Sequence, residues 1–328
     1  ATYNMPLCFK VVGNFEISYF EKAINTIITR HEVLRYNFIK SNEGADLVIA
    51  DEKICTVTYI DLEKDKSRTL DEIIASASQS TFNISNDLLI RATVIKEKAN
   101  SFYVVLLMHH IIADGWSIDI LFDELKIIYY SLSSNISPEL PNLDIAYSDY
   151  AKWQISEFEG EGFQNSIDYW KRNLAECPDF ITLKSDFPRP NYLSYKGGNL
   201  SSQLSKSLTE SLKQLGQDKN CTLFMTLLTG FAILLSAHAN QEDIVIGSPV
   251  ANRNQPELEK LIGLFINTLP LRIDLTGNPT VLELLERIKN ICLTGFHHQE
   301  IPFEKIVEEV NPKRSLNYSP IYQVAFDV

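Results

Sequence analysis

The chain has 328 residues, too long for one ordinary core and of a size for two domains of about 150 residues each. Hydrophobic residues make up 45% and charged residues 22%, which excludes a disordered chain, and no apolar run reaches the ~18 residues of a membrane span. The formal charge is -12 with no block of consecutive basic residues, which argues against nucleic acid as a partner, because phosphate binding needs clustered Lys and Arg.

Cys8, Cys55, Cys177, Cys221 and Cys292 are scattered, odd in number and without C-x-x-C spacing. That pattern argues against a disulfide framework or a structural zinc site and predicts a reducing, cytoplasmic setting. The first residue is Ala1, not Met, and no signal peptide follows, so the chain reads as a piece whose native start is elsewhere.

In chain order, the first predicted helix runs from Ser18 to about His31. Ser18 and Glu21 fit a capping box, and Phe20, Ala23, Ile24, Ile27 and Ile28 form one apolar stripe. Leu47 to Ile60 reads as strand and Leu70 to Ser80 as helix. Phe102 to Met108, FYVVLLM, has the length and uniform hydrophobicity of a strand buried on both faces. The polar loop HHIIADG follows, and then a helical stripe of Ile118, Leu121, Phe122, Leu125 and Tyr129. Further helices are predicted over Ala146 to Phe158 and Gln164 to Leu174.

Residues 175 to 200 concentrate Pro, Gly and Asn in CPDF, DFPRPNY and KGGN, and read as a linker between domains. Beyond it come a helix from Thr209 and a helix from Thr222 to His238. The latter contains Leu223 to Leu235, read as a buried helix because Thr226, Thr229 and Gly230 interrupt it. Next come a strand Asp243 to Val250, the loop SPVANRN, a strand Leu269 to Leu275, a helix Thr280 to about His297, and a closing strand IYQVAFDV. Both halves share a plan of helix, strand and polar loop, which predicts two related α/β lobes, residues 1–174 and 175–328.

The sharpest chemical feature is His109-His110-Ile111-Ile112-Ala113-Asp114-Gly115. Adjacent residues at a strand end point to opposite faces, so the two histidines cannot serve one metal together. One can face a cleft while the other packs inward. Gly115 permits close approach of a ligand, and the helix that starts there offers free N–H groups where negative charge develops. A His-His pair is by itself more often structural than catalytic; the buried strand leading into an Asp- and Gly-bearing loop is what singles this one out.

HHIIADG resembles the HHxxxDG signature of chloramphenicol acetyltransferase-like acyltransferases, and MHHIIADGWS, with Trp116 and Ser117, resembles the condensation domains of non-ribosomal peptide synthetases. Further segments are similar in the same order: RHEVLRYNF (30–38), YSDYAKW (147–153), IGLFINTLPLR (262–272), HQEIPFEKIV (298–307) and PKRSLNYSPIYQVAF (312–326). The family's first motif and the region beyond its last are absent, so the resemblance implies a condensation domain lacking both ends.

It implies an α/β fold in which two chloramphenicol acetyltransferase-like lobes form a V-shaped pseudo-dimer, the second cut short at its end. It implies amide-bond formation between a donor acyl or peptidyl thioester and an acceptor aminoacyl thioester, both on phosphopantetheine arms of peptidyl carrier domains, beside an adenylation domain of the same synthetase. The domain itself is expected to bind no cofactor or metal. His110 is expected to act as base or positioning residue, with His109 and Gly115 beside it. Trp116, Ser117 and Asn267 are expected along a substrate tunnel between the lobes, and Asp114 is expected to pair with Arg253 in the second lobe's polar loop. The bland alternatives are a charged helix end for Arg30-His31-Glu32, packing for Tyr147 to Trp153, and structural roles for His297 and His298.

Among rivals, an epimerization domain shares HHxxxDG but continues differently after Gly. A heterocyclization domain replaces the histidines with Asp. A non-catalytic recruiting platform would lose the second His or Asp114. Of the condensation subtypes, the one joining two L-residues is the most similar.

Overall fold

The computed structural model describes residues 2–42, 44–192 and 197–328. Lys196 of KGGN and its three predecessors in the expected linker lie outside the described residues. The chain divides into two compact units: residues 1–156 with 253–265, and residues 157–252 with 266–328.

The first unit is built on a four-stranded sheet in the order β1-β6-β5-β4. β1 (Asn4–Val12) and β5 (Ile90–Lys98) each pair antiparallel with β6 (Ser101–His109), and β4 (Thr58–Asp61) pairs parallel with β5. β6 is central, so it reads as an unbroken apolar run. Its Phe102, Val104, Leu106 and Met108 meet α1 (Ile17–Arg30) and α3 (Gly115–Ser134) on one face. Its Tyr103 and Val105 meet α2 (Leu70–Gln79) on the other. β2 (Tyr36–Ser41) and β3 (Gly44–Ile49) form a separate hairpin. α4 (Tyr147–Glu159) carries Tyr150, which packs with Leu258, Leu261 and Phe265 of the 253–265 segment.

The second unit holds the antiparallel pair β7 (Asp243–Val250) and β8 (Asn267–Asp274). Gly247 bonds both ways to the C-terminal segment, donating to the Val324 carbonyl (2.9 Å) and accepting from Phe326 N–H (2.8 Å). α5 (Gln164–Asn173), α7 (Leu223–Ala239), α8 (Val281–His297) and α9 (Phe303–Val310) share one core with this pair, and α6 (Lys206–Asp218) precedes α7. α7 buries Met225, Thr226, Leu228, Thr229, Ala232 and Leu235, and no single helix among the described residues is long and apolar enough to cross a membrane.

Several boundaries differ from the sequence reading. α1 starts one residue early behind Glu16, with no side-chain cap, so Ser18 lies inside the helix and the expected capping box is not formed. True boxes stand at Thr69/Glu72 of α2 and Thr280/Glu283 of α8. Leu47 to Ile60 is two strands around an irregular stretch rather than one. The closing strand reduces to one bridge at Ala325, and Ile321 just before it has φ +68°, which a β-branched residue tolerates poorly inside a ladder. The break between units falls well before residue 175. Trp170 and Leu174 belong to the second core, and Ile181 and Thr182 donate backbone N–H groups to Gln323 (2.8 Å) and Gln241 (2.7 Å), which ties that stretch to the second unit.

Candidate active site

β6 delivers the histidine pair. Strand alternation puts His109 on the α2 face, in line with Val105, and its ring sits between Tyr3 (6.0 Å) and Phe82 (6.1 Å, edge-on). Its Nδ1 accepts the Ile111 N–H at 3.2 Å. Burial, and next the neighbouring His110, hold the His109 imidazole below its ordinary titration range. His110 leaves the strand and opens a 3-10 turn, His110–Ile112, with its backbone N–H on the Tyr3 carbonyl at 2.8 Å. The His110 side chain is half-buried, and its ring makes no hydrogen bond among the described residues.

Asp114, in contrast, is sealed. It is the N-cap of α3, where Oδ1 accepts from the Ser117 N–H (2.8 Å) and hydroxyl (2.7 Å) and Oδ2 from the Phe265 N–H (3.0 Å). Arg253 Nη2 lies 3.2 Å from Asp114 Oδ1 and 3.0 Å from Ser117 Oγ. Arg253 Nη1 donates to the Leu258 carbonyl and, at 2.7 Å, to that of Leu261. The guanidinium stacks over Phe265 at 4.0 Å. Its Nε is buried with no partner among the described residues, and burial pulls the guanidinium below its usual range despite Asp114. Arg253 belongs to the 253–265 segment of the first unit, not to the second lobe as expected, because this ion pair and the Phe265 packing hold the segment there.

Ser117 was expected along a tunnel but is fully buried: it stands at the third helical position facing inward, and its hydroxyl also meets the N–H (3.0 Å) and carbonyl (2.8 Å) of Gly263. Trp116 is 44% exposed, but its indole N–H is anchored on the Glu259 carbonyl at 3.0 Å. Gly115 is exposed, and a Cβ there would meet nothing within 4 Å. The glycine therefore keeps open space at the start of α3 rather than relieving a clash. The Gly115 and Trp116 N–H groups, ahead of the capped Ser117, have no acceptor among the described residues.

Asn267 lies in the second unit and its amide is used up locally. Nδ2 donates to the Gln299 (2.8 Å) and Ile301 (2.7 Å) carbonyls, and Oδ1 accepts from the Phe303 (3.0 Å) and Thr268 (2.8 Å) N–H groups. Its position is that of a clamp on the HQEIPF loop. His298 caps the same loop, its ring stacked on Tyr169 (4.3 Å) and its Nδ1 2.8 Å from Ser166 Oγ.

Sequence reasoning missed Glu124. It stands in the apolar stripe of α3 between Leu121 and Leu125, and an acid at such a position signals a buried partner. Its partners are Arg30 (Nε to Oε1, 2.9 Å) and His31 (Nε2 to Oε2, 3.1 Å), and His31 Nδ1 in turn accepts the Ile262 N–H at 3.4 Å. Arg30-His31-Glu32 is thus more than a charged helix end. Burial pushes the Glu124 carboxyl upward, but His31 and then Arg30 outweigh it and bring it below the ordinary range. A cavity of about 330 Å³ lies against this network, and another of about 400 Å³ lies under α2; neither is lined by His109 or His110. No group of His, Cys, Asp and Glu suited to a metal occurs among the described residues.

Malpinin synthetase of Mortierella alpina is 37% identical over 327 residues, covering 99% of this chain and 4% of that protein. The chain therefore spans a small part of the curated relatives it matches. The X-domain in its complex with OxyB from teicoplanin biosynthesis superposes with a TM-score of 0.88 at 25% identity, covering 98% of this chain and 71% of that chain. A four-domain nonribosomal peptide synthetase bound to AMP and glycine superposes with a TM-score of 0.87 at 25% identity, covering 99% of this chain and 24% of that chain. The fold is the α/β fold of chloramphenicol acetyltransferase-like condensation domains. The condensation domain family model matches residues 1–328, and the chain belongs to the condensation domain family of non-ribosomal peptide synthetases.

Proposed function

We propose that this domain joins a donor acyl or peptidyl thioester to the amine of an acceptor aminoacyl thioester, each on the phosphopantetheine arm of a carrier domain. The acceptor nitrogen attacks the donor carbonyl carbon. The new C–N bond forms, the C–S bond breaks, the donor arm leaves as a thiol and the amine gives up one proton. The substrate supplies the nucleophile, so no activated Ser or Cys is required.

The observation that carries this reading is His110: a half-buried imidazole with no hydrogen-bonded partner among the described residues, next to an Asp114 whose carboxylate is committed to structure. An imidazole and an aminoacyl amine titrate within about two units of each other, so His110 can take the amine's proton or hold the amine for attack. The free Gly115 and Trp116 N–H groups are donors for the oxyanion, and the open space over Gly115 lets the thioester approach them.

The proposed partners are the donor and acceptor carrier domains and an adenylation domain of the same synthetase, with no cofactor held by the domain itself. A second reading, a recruiting platform without chemistry, draws on the likeness to an X-domain solved with OxyB. The test is reconstitution: the protein is mixed with a donor carrier bearing an aminoacyl thioester and an acceptor carrier bearing another. Dipeptide on the acceptor arm is the expected product. Binding of both carriers with no dipeptide would favour the platform.

A further inference from the structure

The His110 turn begins from His109, and what holds His109 lies outside the motif. Its Nδ1 accepts the Ile111 N–H, so that nitrogen carries no proton and the turn containing His110 is tied to the orientation of one ring. That ring touches Phe82 edge-on at 6.1 Å. Phe82 belongs to the irregular stretch between α2 and β5, and the Arg91 guanidinium covers its ring at 4.4 Å.

Arg91 also closes both ends of that stretch, with Nη1 on Ser80 Oγ (2.9 Å) and Nη2 on Asp87 Oδ2 (2.9 Å). Asn4, the register partner of His109 on β1, fixes the near end by donating to the Ser78 (3.1 Å) and Ser80 (2.8 Å) carbonyls. Asn37 fixes the far end through the Ile84 (3.2 Å) and Asp87 (3.0 Å) carbonyls. A segment with no helix or strand of its own is thus held at both ends and presents one aromatic edge to His109.

We propose that Phe82 and Arg91 are positioning residues for the active site: they hold the His109 ring with Nδ1 on Ile111, and through that bond they aim His110. The inference rests on the amide-forming reading above for its effect on rate, but not for its effect on His109. Edge contacts and a cation over a ring are individually small, yet a displacement of about 1 Å at a reacting group can cost 10²-fold in rate.

The experiment is carbethoxylation of the full-length protein by diethyl pyrocarbonate, followed by peptide mass spectrometry that resolves His109 from His110. The same variants are then assayed for dipeptide formation. In the native protein the lone pair of His109 Nδ1 is engaged, and His109 should react about tenfold more slowly than His110. Phe82→Leu and Arg91→Gln should each bring His109 toward the His110 rate and lower kcat about tenfold with little change in KM. Phe82→Tyr, which keeps the ring, should behave as the native protein. If Phe82→Leu fails to fold, Arg91→Gln, at a half-exposed site, carries the test. Unchanged His109 labelling in Arg91→Gln, or Phe82→Tyr behaving as Phe82→Leu, overturns the proposal. Altered labelling in a protein that never forms dipeptide would leave the positioning intact and sink the amide-forming reading instead.

Discussion

Arg253 and Asp114 stand 139 positions apart in sequence and 3.2 Å apart in space, with both side chains closed to solvent. The carboxylate of the motif is spent holding the 253–265 segment against the start of α3. Removing one member of a buried pair leaves the other charge uncompensated, at about 3–5 kcal/mol. Asp114→Ala should lose stability of that order in urea unfolding, since it also removes the α3 cap. Combining it with Arg253→Met should cost clearly less than the sum of the two single changes. Additive losses would show that the pair is not coupled.

The strands and helices that carry the motif were legible in the sequence because each signal was local. FYVVLLM marked a strand buried on both faces, and Thr280 to about His297 marked a helix. β1 was not legible: Pro6 and Cys8 on its outer face hide the alternation of Met5, Leu7 and Phe9. α9 is a single short run behind Pro302. The role of Ser117 was hidden for another reason. A hydroxyl after Asp-Gly reads equally as tunnel lining or as the third residue of a capped helix, and only the Gly263 backbone that meets it decides. The membership of 253–265 in the first unit depends on contacts more than a hundred positions apart, which no local pattern encodes.

Asn267 gives a prediction about the HQEIPF loop. Asn267→Ala strips the donors from the Gln299 and Ile301 carbonyls and the acceptor from Phe303 N–H. Unsatisfied buried groups cost about 1–3 kcal/mol each, so losing these three partners should cost about 3 kcal/mol or more in total, with faster proteolysis at residues 298–302. Asn267→Asp should not rescue it, because a carboxylate cannot donate to the two carbonyls. Native-like proteolysis of the Ala variant would contradict the clamp.

Glu124 makes stability depend on pH with a defined sign. Its folded pKa lies below its ordinary 4.5, so the folded state holds the proton less tightly than the unfolded chain. The contribution is fully present above that ordinary value and is lost as pH falls through the folded one. Glu124→Gln should therefore be less stable than the native protein at neutral pH, with the gap narrowing as pH falls below about 5. A gap that stays constant over that window would mean that the carboxylate is not held by Arg30 and His31 as described.

The most direct measurement of the central claim is single-turnover dipeptide formation by His110→Ala with both carriers loaded, beside urea unfolding of the same variant. The ring makes no hydrogen bond within the described protein, so its removal should leave stability within about 0.5 kcal/mol. If it takes or positions the acceptor amine, the rate should fall about 10²-fold or more. Loss of rate with retained stability is the predicted result; dipeptide formation at the native rate would contradict the assignment of His110 to the chemistry.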